Sequence, residues 1–138
     1  MKEKSESLTS AELAKRGGVN LETIRYYERR GLLSPPARST AGYRLFTSAD
    51  AKRVRFIKRA QELGFSLNEI LELLNLKVAP TARQGDVLKL AEAKIADLEE
   101  RIESLRAMKR ALQKLTTACC GGEAALSECP ILASFERD

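Results

Sequence analysis

Histidine and tryptophan are missing from this chain of 138 residues, and only 5% of the residues are aromatic. Histidine is the side chain that most often transfers protons near neutral pH, so its absence leaves general acid–base catalysis poorly supplied. The sequence also contains no phosphate-binding loop and no nucleophile motif. These absences predict that the protein is not an enzyme.

Long apolar runs are missing as well. The first ten residues, MKEKSESLTS, lack the apolar stretch of a secretory signal peptide. No run approaches the roughly 18–20 apolar residues that a membrane-spanning helix needs. We therefore expect a cytoplasmic protein that does not bind membranes and whose thiols stay reduced.

Positive charge exceeds negative charge, with 24 Lys and Arg against 19 Asp and Glu, a net charge of +5 and a pI near 9.3. The basic residues are concentrated between Arg16 and Arg59. A basic segment favours a polyanionic partner such as nucleic acid. The length suits one small domain, or a head of about 75 residues followed by an extended helix.

A stretch without proline or glycine, residues 86–117, carries apolar residues at helical spacing. Charged residues, Lys94 among them, take its other faces. The pattern predicts one helix of roughly 45–50 Å with a heptad-like stripe. The stripe must be covered either by the same chain folding back or by the same helix of a second subunit, and we expect a homodimer. The stripe consists of Leu88, Ala91, Ile95, Leu98, Ile102, Leu105 and Leu112, with Met108 beside its one gap.

Two short helices joined by a glycine turn are predicted near the N-terminus. The first begins at Thr9 or Ser10 and ends at Gly17-Gly18, and the second covers residues 21–30. This pattern fits a helix-turn-helix motif or an ordinary helical hairpin. The second helix favours the DNA-binding motif because it displays groups that bond phosphates and base edges. These groups include Thr23, Arg25 and Tyr26.

A short basic hairpin is predicted next, with its turn at Ala41-Gly42 and alternating residues from Tyr43 onwards. Such a wing would place Arg38, Tyr43 and Arg44 against the DNA backbone or the minor groove. Two further helices follow. Ser48 is expected to cap the first of them, and Ser66 with Glu69 is expected to form a capping box at the start of the second. The first runs to about residue 63. Its outward-facing basic residues are Lys52, Arg53, Arg55, Lys58 and Arg59.

Three segments together closely resemble the MerR family of bacterial transcription regulators. They are TIRYYERRGLL at residues 23–33, Arg38 with Gly42-Tyr43-Arg44, and GFSLNEI at residues 64–70. The resemblance covers almost the whole chain. It implies a mainly α fold with a winged helix-turn-helix DNA-binding head, a long dimerisation helix that forms an antiparallel coiled coil, and a C-terminal metal-binding loop. Positions that contact DNA in the family correspond to Arg25, Tyr26, Arg38, Tyr43 and Arg44.

The resemblance also implies a mechanism. Dimers of the family bind double-stranded promoter DNA whose −35 and −10 elements are too far apart for RNA polymerase. The effector-bound form bends and untwists this DNA so that RNA polymerase can use the promoter. The polymerase is thus reached indirectly, through the DNA. We expect a DNA-binding domain at 8–76, a linker at 77–85, a dimerisation helix at 86–117, and a metal-sensing loop with a short helix at 118–138. The regulated genes would serve metal resistance or efflux.

All three cysteines, Cys119, Cys120 and Cys129, lie within the last twenty residues. Gly121-Gly122 breaks the helix so that the loop can turn back and Cys120 can face Cys129. Thiolates without a histidine nearby are soft ligands, which suit Cu(I), Ag(I), Au(I) or Hg(II). The loop, followed by Pro-Ile-Leu, also resembles the metal-binding loop of the metal-sensing branches of the family.

The identity of the metal stays open. Eight residues separate Cys120 from Cys129, a spacing closer to the mercury, zinc and lead sensors than to the copper sensors. The divalent sensors carry a further cysteine at the start of the long helix, and the copper branch carries a serine; this chain has Arg83-Gln84-Gly85. Three cysteines fall short of a four-coordinate zinc site. Either Cys119 is a third thiolate for Hg(II), or two thiolates bind a monovalent ion.

Other hypotheses concern the same cysteines. A thiol redox switch would join Cys120 to Cys129 in a disulfide and use Cys119 as the reactive thiol. A zinc, lead or cadmium sensor is a further alternative. The cysteines could also be small buried apolar residues, in a purely architectural DNA-binding protein that ignores metals. An iron–sulfur cluster is disfavoured because it usually needs four cysteines.

Overall fold

The computed structural model describes residues 7–119 and 121–137. The chain divides into two compact units, one up to Leu90 and one from Ala91. The predicted mainly α fold class is confirmed, with a helix-turn-helix, a minimal sheet and one long helix. The elements are α1 Ser10–Gly17, α2 Leu21–Arg29, β1 Ala37–Arg38, β2 Arg44–Leu45, α3 Ser48–Glu62, α4 Leu67–Val78, α5 Gln84–Ala118, a 3₁₀ turn Leu126–Glu128 and α6 Pro130–Phe135.

Side-chain caps start the helices of the first unit. At α1 the Glu12 N–H donates to Thr9 Oγ1 (3.1 Å), and the Thr9 N–H donates to Glu12 Oε1 (3.2 Å). Two hydrogen bonds with Thr9 lower the pKa of the Glu12 carboxyl. The bond with the Thr9 backbone has the larger effect, and the bond with the Thr9 hydroxyl has the smaller one. The predicted box of Ser66 with Glu69 is confirmed at α4, with bonds of 2.8 and 3.2 Å. These local bonds satisfy N–H groups that the first turn of a helix leaves unpaired.

The cap of α3 differs from the prediction. Thr47, and not Ser48, is the N-cap, and Ser48 is the first residue of the helix. Asp50 completes a capping box, because the Asp50 N–H donates to Thr47 Oγ1 (3.2 Å) and the Thr47 N–H donates to Asp50 Oδ2 (2.8 Å). The carboxylate lies three residues after Thr47, which is the spacing that the box requires.

The core of the first unit is built from the inner faces of α1 to α4 and the residues around the wing. Tyr27 is only 2% exposed, and its hydroxyl donates to Gln61 Oε1 (2.7 Å). Burial raises the pKa of Tyr27. Its neighbour Tyr26 is 40% exposed, so only one of the two adjacent tyrosines faces the core. The other buried apolar residues are Leu8, Leu13, Ala14, Ile24, Leu32, Leu33, Phe46, Ala51, Val54, Ile57, Ala60, Ile70 and Leu74.

Three cations of α3 bind backbone carbonyls of the helix-turn-helix segment. Arg53 Nε donates to the Leu32 carbonyl (2.6 Å), and Lys58 Nζ donates to the Gly18 carbonyl (2.6 Å). Arg55 Nη1 reaches the carbonyl of residue 16 at 3.3 Å. The prediction that these side chains simply face outward was incomplete, since charge-assisted bonds connect α3 to the end of α1, to the turn after it and to the residues that follow α2.

The wing is a very short antiparallel hairpin. Ala37 pairs with Leu45 and Arg38 pairs with Arg44. Gly42 has a φ of 85°, a backbone conformation that glycine adopts without strain, and it closes the turn. An isolated bridge joins residues 8 and 46 through hydrogen bonds of 2.7 and 2.8 Å and ties the segment before α1 to the end of the wing.

Helix α5 contains 35 residues, with its apolar stripe open. Ile95, Ile102, Leu105 and Leu112 of the stripe, with Met108 beside its gap, are between 47% and 62% exposed, so the described residues leave these side chains uncovered. Lys94 departs from the prediction that it faces solvent, because it is only 6% exposed and its ammonium lies 3.1 Å from Asp97 Oδ2. In the part of the chain that the structure describes, no helix is long and apolar enough to cross a membrane.

Gly17 gives a stability prediction. A Cβ at this position would overlap Val54 Cγ1 and lie 3.0 Å from Val54 Cβ. Overpacking of this kind costs about 1–3 kcal/mol, which outweighs a gain of roughly 0.5–1 kcal/mol in helix propensity. We therefore expect Gly17→Ala to lower the free energy of unfolding in urea denaturation. Val54→Ala in the same chain should recover part of the loss.

Gly85→Ala is the matched control for Gly17→Ala. Gly85 is also helical, but no atom lies within 4 Å of its added Cβ. The free energy of unfolding should therefore stay constant or rise by up to about 1 kcal/mol. Equal changes for the two variants would contradict the close packing of Gly17 against Val54.

Candidate nucleic-acid interface and metal site

The exposed face of α2 presents two of the predicted DNA-contacting residues. The Arg25 side chain is 47% exposed and its Nη1 lies 3.0 Å from Glu22 Oε1. Tyr26 is 40% exposed, and the Arg29 guanidinium lies 5.9 Å from the centre of its ring. Exposed ion pairs contribute only about 0–1 kcal/mol. A phosphate or a base edge can therefore replace Glu22 as the partner of Arg25 at little cost.

Thr23 has a local structural role at the start of the same helix. Its N–H and its hydroxyl both donate to Asn20 Oδ1, at 2.8 and 2.9 Å. Asn20 is the N-cap of α2. The hydroxyl proton of Thr23 is thus engaged, and its oxygen is available to accept a hydrogen bond.

The wing presents its three predicted residues differently. Tyr43 is 72% exposed. Arg38 is exposed, and its Nη1 donates to the Gly42 carbonyl at 3.0 Å. Arg44 is only 32% exposed, and its Nη2 lies 3.8 Å from Glu28 Oε2 of α2. The wing therefore offers Arg38 and Tyr43 to a ligand, whereas Arg44 points to the recognition helix.

Glu28 is a residue that the sequence analysis missed. It is the single acid within the segment RYYERR at residues 25–30. An acid surrounded by arginines and tyrosines in a DNA-binding helix opposes phosphate binding unless it has another role. The single negative charge in this basic segment could therefore have identified Glu28 from the sequence as a residue with a special role.

Cys119 and Cys129 line the same cleft in the second unit. The cleft has a volume of about 280 Å³. Cys119 directly follows α5, where its N–H donates to the Leu115 carbonyl at 3.1 Å. Cys129 lies between the 3₁₀ turn and α6; its N–H donates to the Leu126 carbonyl (3.0 Å) and its carbonyl accepts from the Ala133 N–H (3.1 Å). Both thiols are free and partly buried.

Cys120, the third predicted ligand, lies outside the described residues, and so does its predicted position opposite Cys129. Within residues 7–119 and 121–137, no three His, Cys, Asp or Glu side chains are grouped closely enough to hold a metal ion. Two soft thiolates that share one cleft fit an ion that accepts two or three sulfur ligands. Zinc in a structural site would require four ligands.

The segment around the cysteines is acidic. Residues 115–136 contain three Glu and no Lys or Arg, and Glu128 lines the cleft beside Cys129. Unpaired negative charge raises the local concentration of cations. Glu128 was not among the predicted site residues, although the absence of basic residues from this segment was a visible signal.

Comparisons with known proteins agree along the whole chain. A family model described as MerR HTH family regulatory protein matches residues 8–77, and a second, described as MerR, DNA binding, matches residues 51–115. The mercuric resistance operon regulatory protein of Serratia marcescens is 42% identical over 138 residues, covering 100% of this chain and 94% of the relative. The chain belongs to the MerR family.

Two solved structures of MerR-family regulators are similar to this chain. The transcription regulator PbrR691 from Ralstonia metallidurans CH34, in complex with lead(II), has a TM-score of 0.80 and 36% identity, with 93% of this chain and 98% of that chain covered. The dual function regulator MerR of Bacillus megaterium MB1, in complex with mercury(II), has a TM-score of 0.71 and 38% identity, with the same coverage of 93% and 98%.

Membership of the MerR family establishes the class of function. MerR-family regulators are DNA-binding homodimers and are not enzymes, which confirms both predictions. The protein is a metal-responsive transcription regulator of this family. Because the two similar structures hold different ions, the similarity leaves the metal undetermined.

Proposed function

We propose that this regulator senses a soft, thiophilic ion, either Hg(II) or one of Cu(I), Ag(I) and Au(I), with the cysteines of residues 118–138. The observation that carries the proposal is the shared cleft of Cys119 and Cys129. Cys120 adjoins Cys119 in sequence and is the proposed further thiolate. Three thiolates would suit Hg(II), and two would suit a monovalent ion.

A sensor of lead, cadmium or zinc is the second candidate. The lead complex of PbrR691, a regulator of similar fold and sequence, favours it. A zinc ion would need a ligand beyond the three cysteines of this loop, because a structural zinc site has four protein ligands. Glu128, which lines the cleft, is the proposed additional donor within the chain.

For DNA binding we propose the segment 8–76 as the winged helix-turn-helix domain and Thr23, Arg25, Tyr26, Arg38 and Tyr43 as contacts to promoter DNA. The exposure of Arg25, Tyr26 and Tyr43 supports this assignment. We place the regulator in the cytoplasm, where promoter DNA lies and thiols stay reduced.

Residues 86–117, connected to the head by 77–85, are the proposed dimerisation helix. Its open apolar stripe supports pairing with the same helix of the partner subunit, and the antiparallel orientation is the one that the family resemblance implies. The metal-free dimer would hold a promoter inactive. Metal binding at 118–138 would reorient the two heads so that the DNA between them bends and untwists, and genes for metal resistance or efflux are transcribed.

An anaerobic competition titration tests the metal proposal. Reduced protein is titrated with Cu(I), Ag(I), Hg(II), Zn(II), Cd(II) and Pb(II) against chelators of known affinity. The variants are Cys119→Ser, Cys120→Ser and Cys129→Ser, with Ser127→Ala as a control that changes the same loop without removing a thiol. We expect tight binding of a soft ion that needs Cys129 and is unaffected by Ser127→Ala.

The pattern across the variants decides the ion class. Tight Hg(II) binding that needs all three cysteines indicates a three-thiolate site. Tight Cu(I) or Ag(I) binding that needs only two cysteines indicates a monovalent sensor. Tighter binding of Pb(II), Cd(II) or Zn(II) would favour the second candidate, and no tight binding of any ion would contradict metal sensing and favour a redox switch.

A further inference from the structure

The ion pair between Glu28 of α2 and Arg44 of β2 connects the recognition helix to the wing. Arg44 Nη2 lies 3.8 Å from Glu28 Oε2, and the two side chains are 32% and 17% exposed. Glu28 Oε1 and Arg44 Nε are both buried, and neither has a hydrogen-bond partner in the described part of the chain. Each residue of the ion pair thus contributes one buried polar atom without a partner, a donor on Arg44 and an acceptor on Glu28.

The two atoms without a partner belong to a guanidinium and a carboxylate, the groups that form bidentate pairs. A guanidinium presents Nε and Nη2 as parallel donors that match the two oxygens of a carboxylate. Here one long contact is present and the second bond is unmade. A small shift of the wing toward α2 would complete both bonds, and a shift away would break the first. The state of the pair is therefore coupled to the position of the wing.

The wing has few other constraints on its position. Its ladder is two residues long on each side, and the bridge between residues 8 and 46 fixes only its far end. Arg38, which is proposed to contact DNA, is the register partner of Arg44. Whatever fixes Arg44 therefore also fixes the strand that carries Arg38.

We propose that Glu28 and Arg44 form a latch that sets the position of the wing against the recognition helix, so that Arg44 is a positioning residue and not a phosphate contact. This inference rests on the proposed DNA-binding function of the head. It explains why an acid stands in the segment RYYERR, where it would otherwise repel phosphates. The partner is duplex DNA, which both of the elements joined by the latch, α2 and the wing, are proposed to contact.

The latch is tested by measuring affinity for a promoter duplex at several salt concentrations. The variants are Glu28→Gln, Arg44→Gln, Arg44→Lys and the double variant Glu28→Gln with Arg44→Gln. Each single change should lower the affinity about tenfold, and the double change should cost no more than one single change. The slope of log K against log salt should stay constant, whereas loss of a phosphate contact lowers it by about 0.9.

Two control variants calibrate the measurement. Glu72→Gln removes an exposed acid of α4, and it should leave the affinity constant or raise it slightly. Arg25→Gln removes a proposed direct contact, and it should lower both the affinity and the salt slope. If wild type and every variant fail to bind any promoter duplex, the proposed DNA-binding function fails, and that result is distinct from failure of the latch.

Arg44→Lys separates the two roles even if Glu28→Gln were to unfold the head. A lysine keeps the charge that a phosphate contact needs but lacks the fork that the latch needs. Weak binding by Arg44→Lys with an unchanged salt slope supports the latch. Near-normal binding by Arg44→Lys, together with a reduced slope for Arg44→Gln, would show that Arg44 contacts a phosphate and would overturn it.

Discussion

Replacement of Cys129 by serine is expected to abolish the transcriptional response to the soft metal at concentrations that fully activate the wild type. The binding free energy of a structural zinc ion with four protein ligands is about 10–16 kcal/mol. Divided over the four ligands, this is roughly 3 kcal/mol for each, or about a 100-fold change in metal affinity. A hydroxyl is a hard and poor ligand for a soft ion. The metal concentration for half-maximal transcription in a purified system should therefore rise at least about 100-fold.

The DNA affinity of metal-free Cys129→Ser is the internal control. Cys129 belongs to the second unit of the chain, whereas the proposed DNA contacts belong to the first. The variant should bind the promoter as tightly as metal-free wild type. A normal metal response in Cys129→Ser would contradict the assignment of this thiol as a ligand. Loss of DNA binding without metal would show that the change acts through the structure.

Replacement of Tyr27 by alanine is expected to remove a large part of the stability of the DNA-binding head. Tyr27 is 2% exposed and donates a hydrogen bond to Gln61. Truncating a buried aromatic side chain costs about 3–5 kcal/mol, and small domains are stable by only about 5–15 kcal/mol. Thermal denaturation followed by circular dichroism should show a large fall in the melting temperature of the head.

Tyr26→Ala is the matched control, because it makes the same change one residue earlier on the exposed face of α2. Exposed substitutions usually change stability by no more than about 0.5 kcal/mol. The melting temperature should therefore stay near the wild-type value while the affinity for promoter DNA falls about tenfold. If Tyr26→Ala unfolded the head and Tyr27→Ala did not, the placement of Tyr27 in the core and Tyr26 on the exposed face would be wrong.

Local sequence patterns were sufficient for most of the fold. Glycine stops, cap residues and helical spacing are short-range signals, and they located α1, α2, α4 and α5 to within a few residues. The cap of α3 was misplaced by one residue because Thr47 and Ser48 both offer a hydroxyl. Only the spacing to Asp50 distinguishes them.

Contacts between distant residues could not be predicted in the same way. Lys58 binds the Gly18 carbonyl across 40 residues of sequence, and Arg53 binds the Leu32 carbonyl across 21 residues. The short-range repeat of apolar residues in a helix does not indicate which distant residues pair. Arg53 and Lys58 were therefore expected to face solvent. The burial of Lys94 was missed because a heptad pattern assigns a charged position to an outer face.

The candidate site was predictable in kind but not in detail. The cluster of three cysteines beside Gly121-Gly122 indicated a thiol site, and the structure places Cys119 and Cys129 in one cleft. The ion is not determined by these residues alone, because soft mono- and divalent ions share a preference for thiolates. Ligands that a partner subunit contributes depend on assembly, which one chain does not encode locally.

Energy transfer across a promoter duplex labelled with fluorescent dyes at both ends tests the central claim most directly, because the dyes leave every cysteine unmodified. The reduced dimer is bound first, and the soft ion that binds tightest in the titration is then added under anaerobic conditions. We predict that the protein stays bound while the transfer efficiency changes, and that Cys129→Ser shows no such change. Release of the protein by the metal, or an unchanged transfer efficiency in wild type, would contradict metal-driven distortion of the promoter.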